Sequence, residues 1–477
     1  MDHVLIALFL IGTGLLSLVA AGHSLLYKRD ALSALVWTGL NLSLPLLGPF
    51  LYWCMGINRI SRRARSWRMS GRRLSGSKIY PIEQQKWESA RLPADAQHLG
   101  DLRTLADRMV KTRLQDGNCI TPLEDGETAY PAMLEAIGKA RISINLSSYI
   151  FDADGIGDDF VRHLKDAAAR GVEVRVIIDA MGEKYSRTSP FKLLDLSPVH
   201  IVRYLPLSDG AHINLRNHRK LLIIDGREAF TGGMNIRSRH LTSISSPETA
   251  IHDMHFNVKG PVVNDLQRAF FKDWHFVTGE ILDSPLFFPA IEPQGSVVVR
   301  CISDGPDSEF RKLEQIIMGA LSCAEHSVLI MTPYFIPDRS MVSALITTAL
   351  RGVDVRIVLP LQNNLPFVHW ANRAMQEELL ANGVRVFYQP PPFVHSKLLL
   401  VDDVWSLIGS ANWDARSLRL NFELNLSVYD APFAAQIRQH FDRAFLLAHE
   451  ITLDEIGQRS LPVKLRDSFC HLFLPYL

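Results

Sequence analysis

Hydrophobic and polar positions divide the chain into an N-terminal part that is apolar on every face and a long remainder in which the two alternate. Residues 4–22 carry no charge, and as a helix they would extend roughly 28 Å, about one hydrocarbon core. A second uncharged stretch covers residues 31–57 and contains Pro45 and Pro49. The pattern predicts a transmembrane helical hairpin with spans at about 4–22 and 33–57, while the two prolines leave a re-entrant hairpin open.

A basic segment follows the second apolar stretch. No acidic residue occurs between Asp30 and Glu83, and the gap contains eight basic side chains: Arg59, Arg62, Arg63, Arg65, Arg68, Arg72, Arg73 and Lys78. Arginines beside a span favour the cytoplasmic side and a contact with anionic lipid, although a basic run is also compatible with a solvated linker. We therefore expect a membrane hairpin at 1–58 and a basic juxtamembrane linker at 59–101, with the N-terminus and the main body both in the cytoplasm.

From about residue 102 onwards, helical and strand-like patterns alternate. The first of them are a helix at 130–139, a strand at 142–151, a helix at 157–169 and a strand at 172–179. The Arg-Gly-Val at the start of the last strand recurs 181 residues later, again before an apolar run. A unit that repeats in this way indicates one α/β domain duplicated. We predict an α/β fold in which two tandem repeats, 102–290 and 291–477, pack around one shared site.

One motif occurs twice in this remainder. Residues 218–235 read H-R-K-L-L-I-I-D-G-R-E-A-F-T-G-G-M-N, and residues 395–412 read H-S-K-L-L-L-V-D-D-V-W-S-L-I-G-S-A-N. Each copy has a His, a Lys two residues later, an Asp five residues after the Lys and an Asn ten residues after the Asp. The apolar runs at 221–224 and 398–401 predict short buried strands. Because alternate residues of a strand share a face, the His and Lys of each copy should point the same way.

The duplicated side chains suit a phosphodiester. The imidazoles of His218 and His395 provide one group to attack phosphorus and another to carry a proton. Developing charge on the phosphoryl oxygens would be neutralised by two ammonium groups and two amides, those of Lys220, Lys397, Asn235 and Asn412. In-line displacement needs one group on each side of phosphorus, so both repeats must contribute to one site and neither should be active alone.

Four acidic residues complete the candidate site. Asp225 and Asp402 follow each motif His by seven residues, so in a regular strand they would face away from it, and we interpret them as supports that fix the strand end. Asp253 and Glu423 lie in alternating, strand-like segments after the first and the second motif. Each is expected to hold the imidazole of its own repeat by a carboxylate–imidazole hydrogen bond.

The duplicated H-x-K-x-x-x-x-D resembles the signature of the phospholipase D superfamily, and the resemblance covers nearly the whole chain. T-P-Y-F-I-P-D at 332–338, G-S-A-N-W-D-A-R-S at 409–417 and T-G-G-M-N around Asn235 are similar to the bacterial cardiolipin synthases with two N-terminal membrane helices. One departure is the pair Ser147 and Ser148, which precedes Y-I-F where many relatives carry a Glu. That difference puts only a local contact in doubt.

The resemblance implies transfer of a phosphatidyl group through a phosphatidyl-histidine, without a metal or another cofactor. In the order expected of the family, His218 is the nucleophile and His395 the acid and base, and the reverse order stays open. The catalytic set that it implies is His218, Lys220, Asp225, His395, Lys397 and Asp402. The implied reaction joins two phosphatidylglycerol molecules into cardiolipin and releases glycerol, at the bacterial inner membrane. Hydrolysis by water, as in a phospholipase, uses the same chemistry and stays an alternative.

The composition of the chain narrows the classes of partner that we expect it to bind. The formal net charge of +1 predicts no general affinity for polyanions, and the basic residues cluster beside the apolar stretches. We therefore expect phosphatidylglycerol and anionic membrane lipids as partners and no nucleic acid, which makes a nuclease on the same fold the weaker alternative. Five cysteines without C-x-x-C spacing predict free thiols. His252 and His255 form an H-x-x-H pair without further clustered ligands, so no metal site is expected.

Two further segments bear on the entrance to the site. Residues 363–383 predict a helical excursion over it, in which Phe367, Trp370 and Met375 either touch lipid chains or belong to the core. Residues 461–477 alternate apolar and basic side chains, which suits the membrane surface and a docked C-terminal helix equally. Because a synthase must disfavour water as acceptor, the entrance itself is expected to be apolar.

Overall fold

The structure, a computed structural model, describes residues 2–28, 31–56, 89–153, 155–186, 188–195, 197–205, 215–306 and 311–473. It separates into two compact units, an N-terminal unit, Met1–Leu74, and a body, Ser75–Leu477. The basic residues predicted to contact anionic lipid, 59–78, and the last four residues lie outside the described residues.

The first apolar stretch forms one long helix, α1, over Asp2–Tyr27. Residues 4–22 contain neither a charge nor a proline that would interrupt it. Within the described part of the chain, His3–Tyr27 is the one helix that is long and apolar enough to cross a membrane. Most of its large apolar side chains are exposed, which is the surface that a lipid-facing helix presents.

The second apolar stretch does not form the single spanning helix predicted at 33–57. It divides into the helix α2 (Ala31–Ser43), the short helix α3 (Leu47–Leu51) and a π-helical turn (Tyr52–Gly56). The break lies at Pro45, since a proline lacks the N–H that a helix needs and clashes with the preceding turn. Gly48 makes the reversal possible, because a Cβ at that position would lie 2.4 Å from the Leu40 carbonyl oxygen.

Hydrogen bonds between the two stretches show a hairpin that turns back on itself. They join Ser24 to Thr38 at 2.7 Å, Ser17 to Pro45 at 3.0 Å and His23 to Tyr52 at 2.7 Å. The first two contacts move towards the start of α1 as α2 advances, so the two helices run antiparallel. In the third contact Tyr52 lies beside His23, next to the residue of α1 that makes the first contact. The second stretch has therefore reversed its direction between Pro45 and Tyr52. Both ends of the second stretch therefore lie at the same end of α1, as in a re-entrant hairpin.

Among its described residues, the body is built on a continuous sheet of sixteen strands, with two short two-stranded pairings beside it. The first repeat contributes β1 (Gln115–Glu124), β2 (Ser143–Ser148), β3 (Glu173–Asp179), β4 (His200–Tyr204), β5 (Arg216–Asn217), β6 (Leu221–Ile224), β7 (Glu228–Gly232), β8 (Ile251–His252) and β9 (Met254–Lys259). The second contributes β10 (Val297–Asp304), β11 (Ser327–Met331), β12 (Phe335–Ile336), β13 (Asp354–Pro360), β14 (Arg385–Gln389), β15 (Phe393–Val394), β16 (Leu398–Val401), β17 (Trp405–Gly409), β18 (Trp413–Asp414), β19 (Asn421–Tyr429) and β20 (His449–Glu450).

The strand order reads the same from the centre of the sheet towards both sides. At the centre β1 and β10 pair antiparallel. From there the order is β9, β7, β6, β2, β3, β4 on one side and β19, β17, β16, β11, β13, β14 on the other. The last three strands of each series run parallel. The predicted α/β duplication is thereby confirmed, and the two copies are related by an approximate two-fold rotation.

Helices connect the strands of the body and cover the apolar side chains of the sheet. They are α4 (Gly100–Met109), α5 (Asp125–Lys139), α6 (Ile156–Ala169), α7 (Pro190–Leu194), α8 (Val263–Thr278), α9 (Lys312–Cys323), α10 (Arg339–Leu350), α11 (Pro366–Ala381), α12 (Ala415–Arg419), α13 (Ala431–Leu447), α14 (Leu453–Gly457) and α15 (Leu461–His471). Short 3₁₀ helices occupy Ala94–Leu99, Gly182–Tyr185, Ser238–His240 and Pro285–Phe287.

Both ends of the body pack on the second repeat. Leu92, Ala96 and Leu99, from the end of the segment predicted as a linker, are buried in its core cluster. At the C-terminus α15 is a docked helix, one of the two predicted alternatives. The Phe473 ring lies 5.7 Å from that of Phe367 on α11. Met375, also on α11, belongs to the core cluster.

Candidate active site

Two short strands cross between the repeats and carry the motif histidines. β5, which leads into His218, pairs in parallel with the start of β19, and the His218 backbone N–H donates to the Phe422 carbonyl at 2.9 Å. β15, which leads into His395, pairs in parallel with β8, and the His395 N–H donates to the His252 carbonyl at 2.7 Å. Each repeat therefore supplies the backbone support of the other repeat's histidine.

The carboxylates are crossed in the same way. Glu423 directly follows the carbonyl that supports His218, and its two oxygens lie 3.1 and 3.2 Å from His218 Nδ1. Asp253 directly follows the carbonyl that supports His395, and its Oδ2 lies 2.6 Å from His395 Nδ1. The expectation that each acid holds the histidine of its own repeat is therefore wrong. The exchange of short strands places each acid beside the imidazole of the opposite repeat.

Both motif lysines are buried next to these imidazoles. Lys220 Nζ donates to the His218 carbonyl at 2.6 Å, while Lys397 Nζ donates to the His395 carbonyl and lies 2.8 Å from His395 Nδ1. Burial lowers the pKa of Lys220 well below its usual value and lowers the pKa of Lys397 to about 8. Two ammonium groups crowded in this way favour an anion bound beside them.

Burial also disfavours the charged form of both imidazoles. Burial is the main cause that lowers the pKa of His218, and the charge of Glu423 opposes this shift. Burial is also the main cause that lowers the pKa of His395 well below its usual value. The nearby lysine charges add to both effects. Because a carboxylate lies beside Nδ1, each ring can donate its Nδ1 proton to the acid. The lone pair of Nε2 then remains available to react. Either imidazole is thus suited to act as a nucleophile or a base.

Glu423 lies among donors. It accepts hydrogen bonds from Ser410 Oγ at 2.5 Å and from Asn421 Nδ2 at 3.1 Å, in addition to facing His218. Burial opposes ionisation of this acid, but the interaction with His218, the charge of Lys220 and the bond from Ser410 outweigh it and lower the pKa of Glu423. The Glu423 carboxylate is therefore held in its ionised form.

Asp253 has different surroundings at the equivalent position. Gly233 stands where the second repeat has Ser410, and a Cβ there would lie 2.2 Å from Asp253 Oδ1. No hydroxyl group at this position can donate to the acid. Burial raises the pKa of Asp253. The Asp253 carboxyl consequently retains a proton more readily than the Glu423 carboxyl.

The motif asparagines are buried and oriented by their neighbours. Asn235 Oδ1 accepts the backbone N–H of Ile150 at 3.1 Å, and its carbonyl accepts the Tyr130 hydroxyl at 2.8 Å. Asn412 Nδ2 donates to Ser417 Oγ at 3.2 Å. These bonds fix both amides, and their contact with phosphoryl oxygens stays a prediction.

The motif aspartates lie at the other ends of β6 and β16 from the histidines. Asp225 accepts the backbone N–H groups of residues 141–143 at 2.7–3.2 Å. Asp402 accepts those of residues 325–327 at 2.7–2.9 Å and lies 3.0 Å from His98 Nε2. Both adopt a left-handed backbone, with φ of 53° and 52°. They fix the starts of β2 and β11, which agrees with their interpretation as supports. Neither aspartate contacts the imidazole of His218 or of His395.

Two aromatic side chains at the imidazoles were not predicted from the sequence. The Tyr149 ring lies 5.1 Å from the His218 ring, and Lys220 Nζ lies 5.5 Å from its centroid. The His240 ring lies 6.4 Å from that of His395. Tyr149 directly follows β2. The change from polar to aromatic side chains at the end of this strand is the sequence signal that could have identified it. His240 has no spacing relation to either motif, so no sequence signal marks it.

The H-x-x-H pair divides between two environments. His252 Nδ1 lies 2.6 Å from Asp125 Oδ2, and this bond raises the pKa of His252. His255 is buried, which lowers its pKa to about 4. Among the described residues, no three His, Cys, Asp or Glu side chains are grouped as a metal site. The cysteines whose side chains are described are free thiols: Cys119, Cys301, Cys323 and Cys470.

Aromatic groups lie beside His395, but the neighbouring cavity is lined by polar residues as well, among them Glu248, Gln362 and Gln389. The apolar character expected of the entrance stays a prediction. The Phe393 ring lies 6.0 Å from the His395 ring and 6.5 Å from the Tyr334 ring. A cavity of about 140 Å³ next to Phe393 is formed by the loops at 247–248, 360–364 and 389–393. Four exposed apolar side chains, here called the apolar rim, lie close in sequence to these loops or, in the case of Tyr185, 6.4 Å from the Tyr149 ring: Tyr185, Ile244, Leu361 and Leu365.

Known proteins match this chain along its whole length. A family profile described as cardiolipin synthase, PLD-like domain, matches residues 133–274 and 317–445. The major cardiolipin synthase of Bacillus subtilis is 31% identical over 486 aligned residues, which cover 100% of this chain and 99% of that protein. A cardiolipin synthase of Oceanobacillus iheyensis is 32% identical over 461 residues, with 95% of each chain covered.

A solved structure shares the fold. The phosphatidylserine synthase of Haemophilus influenzae superposes with a TM-score of 0.60 and covers 79% of this chain and 100% of its own. The two sequences are 16% identical, so the likeness shows the fold alone.

Proposed function

The chain belongs to the phospholipase D-like family of bacterial cardiolipin synthases, and from this membership we propose that it joins two phosphatidylglycerol molecules into cardiolipin and releases glycerol. It is accordingly a phosphatidyltransferase. The observation that carries the proposed mechanism is the pair of buried imidazoles, each held by a carboxylate from the opposite repeat beside a buried lysine.

In the first step His218 Nε2 attacks the phosphorus of one phosphatidylglycerol. The bond between phosphorus and the glycerol oxygen breaks, and the glycerol oxygen takes a proton from the Asp253–His395 pair. Lys220, Lys397 and the two motif asparagines stabilise the charge on the phosphoryl oxygens. The product of this step is a phosphatidyl group bound covalently to His218.

In the second step the terminal hydroxyl of another phosphatidylglycerol attacks the same phosphorus. Its proton passes to His395, the new oxygen–phosphorus bond forms and the bond between phosphorus and His218 breaks. Both imidazoles and both carboxylates return to their starting forms. Because the two steps are equivalent in bond type, the overall reaction is reversible.

The unlike carboxylates support His218 as the nucleophile. An ionised Glu423 stabilises the positive charge that the His218 ring acquires when it is phosphorylated. The Asp253 carboxyl retains a proton more readily than the Glu423 carboxyl, so the pair that it forms with His395 can hold the proton that the leaving glycerol takes. If His395 were the nucleophile, the proton carrier would be His218, whose partner Glu423 resists protonation.

The N-terminal unit supports attachment to the membrane. We propose that α1 spans the bilayer and that the second apolar stretch enters and leaves it on one side, where Arg59 and its basic neighbours contact anionic lipid. By the positive-inside rule that side is cytoplasmic, together with the body. The expected arrangement of two full spans is replaced by one span and a re-entrant segment. For the repeats we propose the boundaries 102–290 and 291–477, with β1 and β10 near their starts.

The proposal is tested with the purified full-length protein in vesicles that contain phosphatidylglycerol as the only lipid. We expect cardiolipin and glycerol in equal amounts, unchanged by excess chelator. Both products should be absent from His218→Ala and His395→Ala. The His218→Ala variant should also fail to retain radiolabel from phosphatidyl-labelled substrate after denaturation.

Other products would overturn the proposal. Phosphatidic acid as the sole product would identify a hydrolase, because water would then be the acceptor. Loss of activity with chelator would indicate a different mechanism. Cleavage of nucleic acid with no turnover of any phospholipid would exclude a lipid substrate.

A further inference from the structure

The C-terminal helix α15 packs on the body with polar side chains inwards. Asp467 is buried, and its Oδ2 lies 3.2 Å from Arg373 Nε on α11. Arg466 donates to Asp467 Oδ1 at 2.7 Å, and His471 Nδ1 lies 3.3 Å from the Ala371 carbonyl oxygen. The inward face therefore contains an ion pair and an imidazole, where a surface helix in water ordinarily places its apolar residues.

The outward face of α15 is apolar. Four large side chains on it, here called the outer stripe, are each between 58% and 72% exposed: Leu461, Leu465, Phe469 and Leu472. Their spacing of four, four and three residues places them in one line along a helix of 3.6 residues per turn. Single exposed apolar residues are common on soluble proteins, but a continuous stripe indicates a surface that another apolar phase covers.

The charges around the outer stripe indicate which phase that is. Residues 459–472 contain three basic residues, Arg459, Lys464 and Arg466, and one acid, the buried Asp467. The exposed surface of the helix thus combines apolar and cationic groups, which complements a bilayer with anionic headgroups. A second copy of the chain fits less well, because a two-fold contact would bring the same cations together.

The outer stripe leads towards the entrance to the site. Arg459, just before α15, donates to Gln376 Oε1 at 3.0 Å, while the Phe473 ring at its other end lies 5.7 Å from the Phe367 ring. The two helices are therefore antiparallel, and α15 ends beside the start of α11. The loop at 360–364, which helps to form the cavity described above, leads directly into that start.

We propose that the outer stripe lies at the boundary between the headgroups and acyl chains of an anionic bilayer and holds the body there, with the entrance beside the lipid. The inference rests on the proposed function, in which both substrates come from a bilayer. The membrane attachment proposed for α1 keeps the bilayer at a high effective concentration, so a stripe of four side chains is sufficient. Lipids then reach the site without crossing water.

The experiment measures the depth of α15 with the full-length protein in vesicles of phosphatidylglycerol and phosphatidylcholine. Leu465→Cys, in a cysteine-free background, carries an environment-sensitive fluorophore, which is quenched either by a nitroxide near the top of the lipid acyl chains or by iodide in the water. The matched control is Leu350→Cys on α10, a similarly exposed leucine. Its neighbour Arg351 donates to the Ala324 carbonyl before β11, at the end of the sheet away from His395.

We expect the lipid-borne nitroxide to quench the probe at position 465 about two- to five-fold more than the probe at position 350, and iodide to show the opposite order. Equal quenching of both probes by iodide would show that the outer stripe faces water and would overturn the inference. Protection of position 465 from both quenchers, with energy transfer between labelled copies, would overturn it in favour of a protein contact.

The depth measurement needs no turnover, so its result is independent of the proposed function. His218→Ala should leave the quenching at position 465 unchanged. Lipid quenching at this position in a protein that forms no cardiolipin would overturn the proposed function alone.

Discussion

Glu423 and Asp253 occupy equivalent positions and differ by one methylene group, yet they face unlike neighbours. A hydroxyl and an amide donate to Glu423, whereas Asp253 abuts Gly233. The surroundings of the acids, more than the identity of the histidines, distinguish the nucleophile from the proton carrier. Substitutions at the acids should therefore separate the two chemical steps.

We expect Glu423→Gln to slow release of glycerol in a single turnover by about 10²–10⁴-fold. An amide at this position no longer accepts the Nδ1 proton of His218 as an ionised acid does and does not offset the charge of the phosphorylated ring. The control is Glu135→Gln on α5, whose side chain is exposed and distant in sequence from both motifs. An undiminished first step in Glu423→Gln would contradict the crossed assignment.

The rate should fall as the pH rises through about 8. Burial lowers the pKa of Lys397 to about 8, so above that value the ammonium loses the proton and the charge that stabilises the phosphoryl oxygens. The pH dependence of kcat/KM reports groups of the free enzyme and is the appropriate measurement. Lys397→Arg keeps its charge at every pH used, and the basic limb should move upwards. A limb that stays in place would assign it to another group.

Sequence spacing located the histidines, lysines and asparagines of the site because the whole motif repeats. It could not pair acids with imidazoles. That pairing depends on β5, β8 and β15, which are two residues long each and leave no periodic pattern to detect.

At the scale of elements, the strands next to the motifs follow directly from local sequence. The apolar runs at 221–224 and 398–401 are β6 and β16 with the predicted bounds. Each is buried along its length, so an uninterrupted run of apolar residues was a sufficient signal. The second membrane stretch is different, because its overall hydrophobicity indicated a span while Pro45 and Gly48 set its actual course.

Asp225→Ala should destabilise the body by about 2–4 kcal/mol. The change removes an ionised acceptor from three backbone N–H groups and places alanine at a φ of 53°. Urea unfolding in detergent measures the loss, which should be smaller for Asp225→Asn because asparagine tolerates this backbone conformation. The folded fraction should retain a kcat close to that of the wild type. A large fall in kcat with unchanged stability would place Asp225 in the catalytic machinery.

The course of the second stretch predicts that the two ends of the N-terminal unit lie on opposite sides of the membrane. In a cysteine-free background, His3→Cys should react with an impermeant maleimide in intact spheroplasts. Asn58→Cys should react only after permeabilisation, since the re-entrant segment returns to the end of α1 from which it began. Labelling of both positions only after permeabilisation would restore the full hairpin.

At the scale of the whole molecule, we expect the exposed side chains of the apolar rim to border the entrance to the site. The apolar rim draws residues from both repeats, as the catalytic groups do. An acceptor lipid has to leave the bilayer with its acyl chains covered, and apolar loops at the entrance provide that cover. The same surface limits the access of water to the phosphatidyl-histidine.

Aspartate at the rim should impair the reaction only where a lipid surface is involved. Ile244→Asp and Leu365→Asp are expected to raise the apparent KM on phosphatidylglycerol vesicles several-fold, because each charge opposes burial in the interface. With a short-chain, monomeric phosphatidylglycerol, the kinetics should match those of the wild type. Leu286→Asp, at an exposed leucine remote in sequence from the rim, serves as the control. Equal losses on both substrates would assign these residues to folding.

The crossed acids also have a consequence for biosynthesis. The proposed nucleophile precedes its carboxylate partner by 205 positions along the chain, so a ribosome releases His218 long before it releases Glu423. A partly translated chain, or one truncated by a premature stop codon within the second repeat, would carry a membrane anchor and a histidine without its activating acid. Such fragments could settle in the membrane without attacking its lipids. The enzyme is therefore silent until its synthesis is nearly complete.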